Sequence, residues 1–443
     1  MPRMSSDDPG LPGSTSRRTT CVSRRRYLAA LGTSVFAGLA GCGKSSNGIS
    51  SEEVNASGAA DGWGPPVRLT PADDGTRNFG TSVALSGDGT TGLASSTYHV
   101  DESKAGPTYV IDRSDGDWQR QATLAPDDGP PEMHFGWDGE STALSGDGTT
   151  AVVGAVHADD NGPRSGKVYV FERSDGSWGR PASLFADDGN RKDFFGMSVA
   201  VSGDGSRSIV GAWGADHDGG SGTVYVFEPT DGGWSQVATV APDGGPAAAG
   251  FGRSVALSAD GTGAIIGSGT ADSSDGGSAY VFDRDGGTWR QRTRLVPTDG
   301  GPADFFGGSI ALQADTAIVG APQDDNPNGE RAGSASVFRR DGGAWRHQAT
   351  LVPDDGDSVD LFGAAVALAG DGATALVGAR VDEDPNGEDG GSAYAFERSD
   401  GAWSQQAKLA PDDGEPNDVF GRSVALTAET ALIGTLSGAA YVY

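Results

Sequence analysis

Cysteine is nearly missing from this 443-residue chain: Cys21 and Cys42 are the only two, so no disulfide framework can staple it. Basic residues are also scarce, 32 against 61 acidic ones, and lysine occurs only at Lys44, Lys104, Lys167, Lys192 and Lys408. The net charge of −29 repels a nucleic-acid duplex and an anionic lipid face alike, so neither is an expected partner. No apolar run reaches 18 residues, which leaves no segment built as an ordinary membrane-spanning helix. At 36% apolar residues the chain is also too polar for an α-bundle. What it has in plenty is glycine, 72 residues, and regular recurrence.

The first residues read as an address. Ser23-Arg24-Arg25-Arg26-Tyr27-Leu28 resembles a twin-arginine export motif. The mildly apolar stretch 31–41 that follows is too short to cross about 30 Å of hydrocarbon. It runs into Leu39-Ala40-Gly41-Cys42, which resembles a lipobox. That resemblance implies that the Cys42 thiol takes a diacylglyceryl group and begins the mature protein. Residues 1–41 are therefore expected to be a signal peptide, residues 42–62 a flexible tether, and residues 63–443 the folded domain. The tether is small and polar, unable to bury enough surface to fold. Its length places the domain on the order of 25 Å from the membrane. Asn55-Ala56-Ser57 within it is an N-glycosylation sequon, accessible on an exported chain.

Removing residues 1–41, with their six Arg and two Asp, leaves 26 basic and 59 acidic residues, net −33. Low lysine and dominant aspartate resemble the proteins of extreme halophiles. Molar salt shortens the Debye length to about 3 Å and screens the self-repulsion of such a surface. Acidic clusters in this chain therefore need no ligand to account for them.

Internal repetition decides the fold. Phe-Gly pairs begin at Phe79, Phe135, Phe195, Phe251, Phe306, Phe362 and Phe420, and Trp recurs at Trp63, Trp118, Trp178, Trp234, Trp289, Trp345 and Trp403. In the unit that starts at Phe195, residues 195–201 alternate as strand A, and Gly203-Asp204-Gly205 turns the chain. Residues 208–212 form strand B, a polar loop follows, residues 224–227 form strand C, and residues 234–240 form strand D. Four short strands per unit without a helical period predict a radial array of blades. The seventh unit reaches strand C at Ala439-Ala440-Tyr441-Val442 without its Trp-bearing strand, and that element stands alone at residues 63–71, matching 403–411. The expected fold is all-β: a seven-bladed β-propeller of four-stranded antiparallel blades, closed by the N-terminal strand completing the last blade. Closure removes two open sheet edges; the rival, an open solenoid, leaves them unpaired. Recurrence in every blade assigns the Phe and Trp series to packing. Tyr109, Tyr169, Tyr225, Tyr280, Tyr394 and Tyr441 recur on strand C, with Ser336 as the exception.

Phe-Gly-x-Ser-Val-Ala, Gly-Ala after strand B (Gly320-Ala321-Pro322 in full), and Gly-x-x-Tyr-Val-Phe resemble FG-GAP repeats, the blades of the integrin α-subunit propeller. Blade one departs with Ser95-Ser96, and blade seven with Gly434-Thr435. Calcium-binding members carry Asp-x-Asp-x-Asp-Gly between strands A and B. Here that turn is Ser-Gly-Asp-Gly, at Asp88, Asp147, Asp204 and Asp371, or shorter, and one carboxylate cannot assemble six to eight oxygens. No metal site is expected there.

In an up-and-down blade the B–C and D–A loops share one face, the face on which integrins bind partners. It collects Asp159, Asp160, Asp216, Asp218, Asp324, Asp325, Asp382 and Asp384, where divalent cations are possible but not required. Recognition surfaces concentrate aromatic and Arg side chains, and Trp213 and Arg331 are the candidates of that kind. The expected function is a lipid-anchored cell-surface propeller that binds an extracellular protein or glycan without catalysis. The alternatives are a quinone-dependent dehydrogenase type of propeller enzyme and a structural envelope component. Against an enzyme, the mature chain lacks paired cysteines and any His-Glu-x-x-His, and no catalytic residue or cofactor is implied.

Overall fold

The computed structural model describes residues 49–54, 63–71, 76–99, 105–126, 133–137, 139–215, 222–243, 250–269, 276–298, 300–301, 303–383 and 385–443. Ser23, Arg24, Arg25, Tyr27 and Leu28, the lipidation candidate Cys42, the sequon at Asn55, and Asp216, Asp218 and Asp384 lie outside the described residues.

Among the described residues the regular elements are all strands, arranged in seven antiparallel sheets with one sheet for each repeat. This is a seven-bladed β-propeller. In blade three the strands are A (Ser198–Val201), B (Ser208–Ala212), C (Thr223–Thr230) and D (Gly233–Val240), paired in that order. Strand B is buried at every position, whereas strand D alternates between exposed and half-buried. The difference follows from place: an inner strand has neighbouring blades on both faces and reads as a continuous apolar run, while an outer strand keeps the period of two. Blade two departs from the pattern. Its outer strand breaks into Ser177–Trp178 and Ala182–Leu184, because Pro181 between them has no N–H for the ladder.

Each interface between blades has its own apolar cluster. Between blades two and three, Val152, Val168 and Val170 meet Phe195, Val210 and Tyr225. Phe195 is 1% exposed and lies edge-on to Tyr225, ring centroids 5.6 Å apart. The same pair recurs as Phe79–Tyr109 at 5.5 Å and Phe420–Tyr441 at 5.5 Å. In blade five, where Ser336 replaces the tyrosine, Phe306 keeps the second edge-on contact of the series, with Phe338 at 6.2 Å, the counterpart of Phe195 with Phe227 at 5.8 Å. Burying one such ring contributes about 1.5–3 kcal/mol. The Trp series holds the outer strands: Trp178 Nε1 donates to Gln121 Oε1 of the preceding blade at 3.0 Å, and Trp403 Nε1 to Gln348 Oε1 at 3.2 Å.

Two glycines set the distance between blades. The Gly of the Phe-Gly pair has a positive φ, for example 84° at Gly252, and the Gly of Gly-Ala in the preceding blade lies against it. A Cβ on Gly211 would fall 2.0 Å from the Gly252 carbonyl oxygen, so no larger residue fits without moving the blades. The same contact links Gly434 of blade seven to Gly80 of blade one, at 1.9 Å. Blade one departs: Ser95 stands at this place with its side chain against Gly136, its hydroxyl hydrogen-bonded to Thr108 Oγ1 at 2.8 Å and to Thr142 Oγ1 of the next blade at 2.9 Å.

The ring closes as the repeat count requires. Val67–Pro71 pairs antiparallel with Ala440–Val442, Val67 opposite Val442 and Leu69 opposite Ala440. Ser423 Oγ donates across the seam to Gly80 O at 2.9 Å, as Ser254 Oγ does to Gly307 O at 2.8 Å between blades four and five. Two details differ from expectation. Trp63 precedes the closing strand and does not lie in it, because Pro65 and Pro66 carry no N–H for pairing; it packs half-buried on the cluster between blades six and seven. Residues 49–53, expected within the flexible tether, form a fifth strand, Ile49–Glu53, on the outer edge of Val67–Pro71. That edge offers unpaired backbone groups, and Ile49 reaches the apolar cluster between blades seven and one.

Candidate functional site

The A–B turns ring one end of the channel. Gly87 N donates to Gly146 O at 2.8 Å and Gly203 N to Ala259 O at 2.8 Å, blade to blade. Their aspartates serve the turns themselves. Asp204 Oδ1 accepts from Ser202 Oγ at 2.7 Å and from Ser206 N at 3.0 Å. These bonds, the Ser202 hydroxyl first, hold its carboxyl down at about 2. The single carboxylate of each turn thus has a structural use that needs no cation.

At the other end, the B–C loop of one blade is laced to the D–A loop entering the next. Val359 N donates to Glu330 O and Phe362 N to Ala332 O, both at 2.9 Å. The acidic candidates of this face are spread through these loops and do not converge. Asp159 Oδ1 accepts from Arg164 N at 2.7 Å, and Asp325 Oδ1 from Arg331 N at 2.8 Å, each closing its own loop. Asp160 is exposed, 3.6 Å from Lys167 Nζ; Asp324 is half-buried. Asp382 is buried, accepting from Tyr394 OH at 2.7 Å and pairing with Lys408 at 3.0 Å. Among the described residues, no group of three or more His, Cys, Asp or Glu is placed to hold a metal ion. Arg331 stands exposed in its loop.

Trp213, by contrast, belongs to a continuous arc. Phe194 stacks on it with centroids 5.2 Å apart and planes at 14°. His157 lies 6.2 Å from Phe194 and 4.2 Å from His134, which in turn lies 5.0 Å from Trp137. On the other flank the Arg253 guanidinium sits 5.9 Å over Trp213 and 5.5 Å over Phe305. All seven side chains are half-buried. The arc spans blades two to five, a single sector of the face. Burial, and then the adjacent His134 ring, hold His157 down at about 4, so it is neutral at pH 7.

Two local features aim these side chains. His134, Phe194 and Phe305 each precede a Phe-Gly pair and adopt φ values of 53°, 54° and 67°, a left-handed conformation that turns the backbone just before strand A. Trp137 comes from an insertion: Asp147 follows Phe135 by twelve positions, whereas Asp204 follows Phe195 by nine. The lengthened segment bonds to the blades on either side. Ser82 Oγ of blade one donates to Gly139 O at 3.1 Å, and Val199 N of blade three donates to Glu140 O at 2.9 Å.

Under this arc the channel opens into a cavity of about 230 Å³. Strand A side chains, among them Val199, Val255, Ile310 and Val424, make its wall. Arg253, Arg380 and Arg422 line its rim with Glu140 as the one carboxylate. In a chain whose acids outnumber its bases about two to one, this rim reverses the charge. Arg422 Nε and Trp213 Nε1 are buried without a hydrogen-bond acceptor. Of this site, sequence reasoning found only Trp213. The rest carried a readable signal: the residues on either side of each Phe-Gly pair differ from blade to blade while the pair does not.

Six stretches, 118–171, 178–227, 234–282, 289–338, 345–396 and 403–443, match the FG-GAP repeat. No curated protein matches the chain. Among solved structures, hydrazine synthase of Kuenenia stuttgartiensis is similar in fold, with a TM-score of 0.52 at 14% identity over 84% of this chain and 97% of that one.

Proposed function

Since the chain belongs to the FG-GAP repeat family, we propose that it is a non-catalytic recognition propeller whose ligand, an extracellular protein or glycan, binds at the channel mouth on the B–C and D–A loop face. The observation that carries this reading is the arc from Trp137 to Phe305, seven half-buried aromatic, His and Arg side chains in one sector above a cavity. Such side chains carry most of the binding energy where they cluster. The likeness to hydrazine synthase is one of fold, at 14% identity, and brings no chemistry with it. The export and lipobox motifs support a cell-surface location with Cys42 as the membrane anchor.

The test is capture from cell-envelope material in high salt, with and without divalent cations. Wild type is compared with a Trp213→Ala, Phe305→Ala double variant and with Asp283→Asn on a C–D hairpin. Loss of capture in the mouth variant alone supports the reading, and equal capture by all three contradicts it. A Cys42→Ser variant is expected to leave the membrane fraction; retention there would overturn the lipid anchor.

A further inference from the structure

The cavity lining carries Arg253, Arg380 and Arg422 against the single carboxylate Glu140, and this narrows the ligand. Arg253 contacts aromatic faces, and no carboxylate among the described residues pairs with it or with Arg422. Arg422 Nε and Trp213 Nε1, both buried, lack acceptors, and a buried donor left unmade is costly. The guanidinium groups of Arg253 and Arg422 line the cavity, where a ligand group with several strong acceptor oxygens would meet them, and a guanidinium pairs best with a planar or tetrahedral oxyanion. The cavity beneath admits a small unit and not a folded surface. Phe305 lines it, and Trp213, stacked on Phe194, shares the Arg253 guanidinium with Phe305; these half-buried rings offer apolar faces, with a polar N–H edge on Trp213. A sugar ring has the matching form, one apolar C–H face and a polar rim. An acidic peptide supplies the charge without that flat face.

We propose that the mouth binds an anionic saccharide, its carboxylate or sulfate ester held by Arg253 and Arg422 while a sugar ring lies against the Trp213–Phe305 side. This inference rests on the reading of the mouth as a recognition site. It also gives that strongly acidic chain a way to hold an anion: the repulsion of the distant surface is screened in salt, while contacts inside the rim are not.

Titration calorimetry on the full chain at one fixed, high salt concentration tests it with four probes: trigalacturonate, a chondroitin sulfate tetrasaccharide, neutral maltotriose and hexaglutamate. At least one anionic saccharide is expected to bind ten times more tightly than maltotriose and hexaglutamate. Arg422→Gln and Arg253→Gln are each expected to weaken it about tenfold, and Arg290→Gln, on the outer strand Thr288–Leu295, to leave it unchanged. If a Gln variant does not fold, Arg422→Lys is read in its place, with a three- to tenfold loss expected because the charge stays and the fork is gone. Equal binding of maltotriose, or tighter binding of hexaglutamate, would overturn the anionic saccharide and leave the recognition site standing. Binding by neither anionic saccharide would overturn it as well. Capture of envelope material that is indifferent to Trp213→Ala and Phe305→Ala would instead remove the site itself.

Discussion

A carboxylate buried among other carboxylates should prefer its proton, and Asp360 is one. It is 2% exposed, two residues before Phe362, and accepts from Asp357 N at 2.6 Å. Burial first, and then the charges of Asp382, Asp357 and Glu383, push it up to about 6. The folded state therefore binds this proton more tightly than the unfolded chain, whose aspartate titrates near 3.9. Its contribution to stability is present below that value and is lost as pH rises through about 6. Asp360→Asn keeps an oxygen for the Asp357 amide and removes the buried charge. The variant is expected to gain on the order of 1–2 kcal/mol at pH 7.5, with the gain shrinking toward zero as melting is repeated down to pH 4. A gain independent of pH would contradict the assignment. The same scale shows why the mouth escaped sequence reasoning. Phe194 and Phe305 adjoin phenylalanines of the packing series, and only their left-handed backbone separates them from the core.

At the scale of strands, the repeat was legible because each blade spends its residues the same way: an inner apolar run, an alternating outer strand, and glycine where neighbours touch. Strand B of blade three was read at its observed bounds, 208–212. Less legible was whatever broke the repeat. The three-residue insertion after Phe135 and the added strand Ile49–Glu53 have no counterpart in other blades to suggest them. Closure makes a direct prediction. Val67 and Val442 are opposite each other across the seam. In a Cys42→Ser background, Val67→Cys with Val442→Cys is expected to oxidise to a bond joining two residues 375 positions apart. The nearly circular product would migrate anomalously on a denaturing, non-reducing gel. Free thiols in the folded, oxidised protein would mean that the seam is open. Loss of Ile49–Glu53 alone should lower the melting temperature less than loss of residues 63–71, since the former covers an edge and the latter completes a sheet.

The whole molecule combines a rigid ring with a surface whose charge, −29 overall, opposes compactness. Seven interfaces of the same construction supply the cohesion, and we attribute the tolerance of that charge to a saline setting. Dialysis into dilute buffer is then expected to lower the melting temperature steeply, with recovery on return to molar salt. A melting temperature indifferent to salt would remove that setting. Composition made the charge plain from the outset; it could not show that a reversal of sign sits at the channel mouth, because Arg253, Arg380 and Arg422 come from three blades and meet only when the ring closes.

Where the ligand touches the ring is the question on which the functional account turns, and hydroxyl-radical footprinting answers it. With captured envelope ligand bound, oxidation of Trp213, Phe194 and Phe305 is expected to fall at least several-fold, while Trp345 and Trp403 on the outer strands stay as reactive as in the free protein. Protection of the outer tryptophans with the mouth unchanged would contradict the account.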